Sequence, residues 1–169
     1  IAVRDGDVYV LTSEGNVYQN DEPLYSDYSP VGIALGHGRA WGQDTDVYVL
    51  TFKGTVWGND EQIDDNFNPQ SIAADGQDFY VLTKKGAVYR GTERIYSGYE
   101  RYEGVCLAVG GGGLFVLTSA GAVYRNDERQ FSGDDFGCKI HSIAVDHTTG
   151  TLHLLAEDMV VLRLTEDAR

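Results

Sequence analysis

The stretch Val8-Tyr9-Val10-Leu11-Thr12-Ser13-Glu14-Gly15-Asn16-Val17-Tyr18 decides the fold, because its pattern is written four times and echoed a fifth. Its core, Val10-Leu11-Thr12, returns as Val49-Leu50-Thr51, Val81-Leu82-Thr83 and Val116-Leu117-Thr118, then weakened as Leu154-Leu155-Ala156, at steps of 39, 32, 35 and 38 residues. A glycine and a Val-aromatic pair follow in the first four copies: Gly15 with Val17-Tyr18, Gly54 with Val56-Trp57, Gly86 with Val88-Tyr89 and Gly121 with Val123-Tyr124. The fifth copy keeps only Val161-Leu162. A period of this length marks an architecture of stacked supersecondary units that bury their faces against one another.

Working outward, a second anchor lies upstream in each copy: Ile1-Ala2, Ile33-Ala34, Ile72-Ala73, Leu107-Ala108 and Ile143-Ala144. A further short apolar run follows in the first four, around Leu24-Tyr25, Gln62-Ile63, Ile95-Tyr96 and Gln130-Phe131. Each copy thus reads as four short strands, A to D, and meanders of that kind set radially make a propeller. The expected fold is all-β: a five-bladed β-propeller from five tandem repeats of about 36 residues, with an open solenoid of β units as the alternative. One domain fills 1–169, with repeats at approximately 1–32, 33–71, 72–106, 107–142 and 143–169.

Strand B carries apolar residues at odd and even positions, so both its faces are expected to be buried between neighbouring blades. The alanine of strand A is expected near the axis, where sheets converge. Asp5-Gly6 and Asp75-Gly76 read as tight A-B hairpin turns. Repeat 5 shows no strand D, so the last blade is expected to be incomplete, its outer strand coming from Thr165 to Arg169 or from sequence before Ile1. The start at Ile1, inside a strand, points to a processed or trimmed piece of a longer product. No Trp-Asp pair marks the strands, which separates these repeats from the WD type.

Composition narrows the partners. Twenty-six acidic against 13 basic side chains give a net charge of −13, a field that repels nucleic acid and anionic membrane and favours a basic or neutral partner. No apolar run approaches the roughly 18 residues a membrane helix needs, so no membrane insertion is expected. Cys106 and Cys138 are too few for a disulfide framework or a zinc site. No loop has the oxygen density of a calcium site, and no cofactor is expected.

The recurrence of Val-Tyr-Val-Leu-Thr, a glycine turn and Val-Tyr, with Tyr25-Ser26-Asp27 or Tyr96-Ser97-Gly98 before the next copy, resembles the tachylectin-type five-bladed lectins. That resemblance implies several weak, near-equivalent pockets for N-acetylated sugars. This chain departs from the family in its shorter repeats and in having only Trp41 and Trp57.

Candidate contacts fall in three places. The D-A loops carry Asp27 and Tyr28, Asp65 and Phe67, Tyr99, and Asp135 and Phe136; an aromatic plane beside carboxylates suits a sugar, while the same rings and acids also serve to seal seams and cap turns. Asn20-Asp21-Glu22, Asn59-Asp60-Glu61 and Asn126-Asp127-Glu128 read chiefly as C-D hairpin turns. An acidic rim of these residues with Asp5, Asp7, Asp44, Asp46, Asp75 and Asp78 is the alternative. The A-B connection of repeat 2, which contains His37, Arg39 and Trp41, is seven residues longer than its equivalents in repeats 1, 3 and 4. An over-long loop with an aromatic between two basic groups reads as an interface anchor, or as a plug over the core.

His37, His141, His147 and His153 lack catalytic or ligand spacing, and Gly110 to Gly113 read as a hairpin rather than a phosphate cradle. No enzyme activity is expected. The favoured function is a non-catalytic protein-interaction scaffold using loops on a propeller face. The alternatives are a multivalent lectin with sites in the D-A loops, or the propeller domain of a larger enzyme or receptor.

Overall fold

The computed structural model describes residues 1–4, 6–26, 29–37, 45–64, 68–76, 78–98 and 103–164. Short runs of β-branched and aromatic residues, interrupted by Gly, Asn and Asp at positive φ, form antiparallel meanders. Blade 1 comprises β1 (Ala2–Arg4), β2 (Asp7–Leu11), β3 (Val17–Gln19) and β4 (Glu22–Tyr25). Blade 2 comprises β5 (Pro30–His37), β6 (Thr45–Thr51), β7 (Val56–Gly58) and β8 (Glu61–Asp64). Blade 3 comprises β9 (Pro69–Asp75), β10 (Asp78–Thr83), β11 (Val88–Arg90) and β12 (Glu93–Tyr96). Blade 4 comprises β13 (Gly104–Gly110), β14 (Gly113–Thr118), β15 (Ala122–Arg125) and β16 (Glu128–Ser132). Blade 5 has β17 (Ile140–Val145), β18 (Leu152–Ala156) and β19 (Val161–Leu164).

The five sheets stand in a ring as a five-bladed β-propeller, each meander pairing strands in sequence order. Among the described residues, blade 5 has three strands. The hairpin of Gly110 and Gly113 is a two-residue turn, with Gly111 and Gly112 at φ 57 and 71. Such a turn needs left-handed backbone at both central positions, which glycine adopts without a Cβ clash.

The pleat divides each blade into two faces. The alanine of strand A, the aromatic and leucine of strand B and the first valine of strand C look toward the next blade; in blade 2 these are Ala34, Tyr48, Leu50 and Val56, packed on Ile72, Phe79 and Val81 of blade 3. The seams between blades 1 and 2, 3 and 4, and 4 and 5 repeat this arrangement. In blades 1 to 4 the alanines therefore lie in the seams, where a methyl leaves room for the aromatic ring paired beside it, such as Tyr48 opposite Ala34.

The fifth seam, between blade 5 and blade 1, is different. Val3, on the face of blade 1 turned toward blade 5, is 65% exposed, while its counterpart Leu35 is at 9%. Ala144 and Val161, on the forward face of blade 5, are exposed. Burial of both faces of strand B thus holds for blades 2 to 4, whereas in blade 1 Val8 and Val10 are only half-buried.

Candidate functional site

The turns that join strands C and D explain the Asn-Asp-Glu signature. Asn59 and Asp60 stand at φ 46 and 68, and Asn20-Asp21 and Asn126-Asp127 repeat these values within a few degrees. Each asparagine also clamps its blade: Asn59 N–H donates to the Val47 carbonyl (3.0 Å), and Val47 N–H donates to Asn59 Oδ1 (2.9 Å). The same exchange joins Asn20 to Val8 and Asn126 to Leu114.

Four of the acids proposed as a rim have partners, two of them the turn asparagines. Asp7 accepts from Asn20 Nδ2 (2.6 Å) and Gln19 Nε2 (2.9 Å). Asp78 pairs with Arg90, and Asp75 shares a 2.6 Å hydrogen bond with His147 Nε2. Asp46 is fully buried; its Oδ1 accepts from Asn59 Nδ2 (3.0 Å), and its Oδ2 has no hydrogen-bond partner among the described residues. Burial, with Asp46 and then Asp78 nearby, pushes the Tyr48 hydroxyl up to about 12. Asp5 and Asp44 lie outside the described residues.

At the same end of the propeller the A-B hairpins converge. His37 N–H donates to the Gly76 carbonyl (2.6 Å), and the His37 ring meets the His147 ring edge-on at 6.1 Å. His147, on the A-B loop of blade 5, thereby touches blades 2 and 3 at once. The hairpin of blade 2 extends its ladder one pair further than its neighbours, through Gly36 opposite Asp46 to His37 opposite Thr45, and it leads into residues 38–44. Arg39 and Trp41 belong to that segment and lie outside the described residues.

On the opposite end, only repeat 4 has its D-A loop described throughout. A short 3-10 helix, Gly133–Phe136, follows β16. Asp135 accepts from the Ser132 N–H (2.6 Å) and hydroxyl (3.3 Å), and Phe136 packs edge-on against Phe131 at 5.3 Å. Here the acid caps a turn and the ring covers a seam. Beside them opens a cleft of about 640 Å³ between blades 4 and 5, lined by Thr118, Ser119, Asp134, Lys139, His141 and Glu157 among others. A second, of about 320 Å³, lies between blades 1 and 2 and is lined by Ser26, Ser29, Thr51, Lys53, Thr55, Trp57 and Asp60. Asp27, Tyr28, Asp65, Phe67 and Tyr99 lie outside the described residues.

No family model matches the chain, and no curated protein matches it by sequence. Solved structures that share its fold include the following two. One is YCF48 bound to D1 peptide, at TM-score 0.59 and 13% identity over 93% of this chain and 61% of that one. The other is BBS1N in complex with ARL6DN, at TM-score 0.67 and 15% identity over 96% of this chain and 58% of that one. The chain therefore spans about three fifths of the length of each.

Several features were not singled out in the sequence. The reach of His147 to Asp75 joins residues 72 apart in sequence. Phe52, exposed on the B-C loop of blade 2, lies under the Lys84 ammonium at 5.6 Å. Cys106 and Cys138 are free thiols, and burial pushes the Cys106 thiol up, away from the thiolate that a nucleophile needs. The asparagine clamp had one readable trace: in repeats 1 and 2 the asparagine follows an aspartate by 13 residues, Asp7 to Asn20 and Asp46 to Asn59.

Proposed function

We propose that this chain is a non-catalytic protein-binding scaffold that holds its partner at the end of the propeller where the A-B hairpins converge, with the extended hairpin of blade 2 as the principal contact. The observation that carries this reading is the break in symmetry. Blade 2 alone among the described blades carries its A-B ladder on to His37 opposite Thr45, and Asp46 at its foot keeps a buried carboxylate oxygen without a hydrogen bond among the described residues. Asp7, Asp78 and Asp75 are by contrast held by Asn20, Arg90 and His147. Trp41 and Arg39 supply the aromatic and cationic side chains in which protein interfaces are enriched. The structural neighbours, one bound to a peptide and one to ARL6DN, are consistent with a binding scaffold.

The test is affinity capture from a lysate with the wild-type chain and with Trp41→Ala, quantified by mass spectrometry. The variant should melt as the wild type does and lose a specific partner. Capture unchanged by the substitution sinks the assignment of this hairpin. The carbohydrate reading calls for near-equivalent pockets, whereas the two clefts differ in size and lining. A saturable, sugar-specific signal on a glycan array would restore it.

A further inference from the structure

The B-C turns share a backbone but not a charge. Their first two residues read Phe52-Lys53 in blade 2 and Lys84-Lys85 in blade 3, against Ser13-Glu14, Ser119-Ala120 and Glu157-Asp158 in the others, so blades 2 and 3 alone carry cations there. All four lysines of the chain, Lys139 being the fourth, lie at this end of the propeller, on B-C or D-A connections. The opposite end collects acids on its A-B and C-D turns, among them Asp75, Asp78, Asp127 and Glu128. A net charge of −13 thus coexists with a basic patch at one end.

The backbone holds that patch in place. Phe52 N–H donates to the Ser29 carbonyl (2.6 Å) and Lys84 N–H to the Asn68 carbonyl (3.0 Å), which ties each turn to the start of its own strand A. Within the turns, the Thr51 and Thr83 hydroxyls accept from the Thr55 and Ala87 amides. Phe52 is 70% exposed, a ring where the other turns place Ser, Lys, Ser and Glu, and the Lys84 ammonium lies 5.6 Å from its centre. Lys53, Lys84 and Lys85 are exposed, and none has an ion-pair partner among the described residues. Beside Lys53, the cleft between blades 1 and 2 adds the hydroxyls of Ser26, Ser29, Thr51 and Thr55, all able to donate to a carboxylate, while Asp60 lies beyond the other end of β7.

We propose that the B-C turns of blades 2 and 3 form a docking surface for a short acidic segment of a partner protein, one that sets carboxylates against Lys53 and Lys84-Lys85 and lays an apolar side chain on Phe52. Size selects this partner over other anions. Charges are screened over about 8 Å at physiological ionic strength, so a segment of a few residues meets mainly the lysines. A nucleic acid or an anionic bilayer would extend over Glu14 and Glu157 on the neighbouring blades, and neither offers an apolar side chain to cover Phe52. The surface lies at the end of the propeller opposite the blade 2 hairpin and is independent of the function proposed for that hairpin.

The probe is a fluorescein-labelled peptide, Gly-Glu-Asp-Phe-Asp-Glu-Gly, titrated with the full chain and read by fluorescence anisotropy. Saturable binding is expected, weakened about ten-fold by the joint change Lys84→Glu and Lys85→Glu and retained by Lys84→Arg with Lys85→Arg. Phe52→Ala, or alanine for the probe phenylalanine, should weaken it to a similar extent. The same peptide with its acids replaced by their amides should not bind. Trp41→Ala, and the pair Asp64→Asn with Asp65→Asn on the adjoining D-A loop, should leave the affinity unchanged. Absence of saturable binding overturns the proposal, as does equal affinity for the acidic and amide probes or for wild type and the glutamate variant. So does a ten-fold gain on replacing Asp64 and Asp65, which would show the chain's own loop occupying the lysines. A loss in Trp41→Ala as large as in the glutamate variant, or tighter binding of phosphatidylserine vesicles than of the peptide, overturns it equally.

Discussion

Asn59 holds a left-handed backbone at φ 46 while its side chain satisfies the Val47 amide and steadies the buried carboxylate of Asp46. Asparagine tolerates that backbone better than most residues, and its carbonyl oxygen takes over an acceptor role that the strand ladder leaves vacant. Asn59→Ala removes the acceptor from a buried amide and adds strain to the turn, so it should cost about 2 kcal/mol, measured as a lower urea midpoint at unchanged slope. Gly91 makes the natural comparison: it stands at φ 55 in repeat 3, where its amide bonds to the Phe79 carbonyl. Asn59→Gly should accordingly recover the part of the loss that comes from strain and none of the part that comes from the Val47 amide.

The B-C turn shows the same economy one level up, and it explains why Thr and Gly recur in the repeat. In blade 2 the Thr51 hydroxyl accepts from Thr55 N–H (3.1 Å), while Gly54 N–H donates to the Thr51 carbonyl (3.0 Å) from φ 89. Blades 1, 3 and 4 keep the same glycine at positive φ. In blade 5 the Thr position is Ala156 and the glycine position is Met159, held at φ 60 and 80% exposed. Left-handed backbone costs a residue with a side chain about 1 kcal/mol, partly offset by the extra freedom glycine has when unfolded. Met159→Gly should therefore stabilise the chain by about 0.5 kcal/mol, seen as a raised melting temperature, and a fall would show that the turn is held by something other than its backbone. The elements themselves were legible because strand, turn and spacing recur together: Asp135 and Phe136 lie on the loop where the sequence put them, and the C-D turns adopt the hairpin that Asn and Asp favour. What Asp135 and Phe136 touch was not legible, since the cap to Ser132 and the edge-on contact with Phe131 depend on how a short helix turns back over the seam.

At the scale of the whole molecule, a stack of similar blades gains most of its stability at the seams, so each blade depends on the faces that its neighbours cover. The repeat identified the blades, but it could not reveal which seams are filled, because Val161 reads like Val17 while its surroundings differ. Leu82, on the forward face of blade 3, is fully buried against blade 4; Leu155 occupies the same position in blade 5 and is only half-buried. Leu82→Ala removes a side chain whose space its neighbours cannot refill and should cost about 3 kcal/mol, within the usual range for a core leucine. Leu155→Ala should cost less than about 1.5 kcal/mol, since the deleted atoms are partly in water already. The two variants, unfolded in urea side by side, separate a propeller with a loose fifth seam from one sealed all round. Hydrogen exchange provides the spatial check: amides of blades 1 and 5 should exchange faster than those of blades 2 to 4. Equal losses for the two leucines, together with uniform protection across the blades, would mean that blade 5 and blade 1 are joined in solution as firmly as the rest.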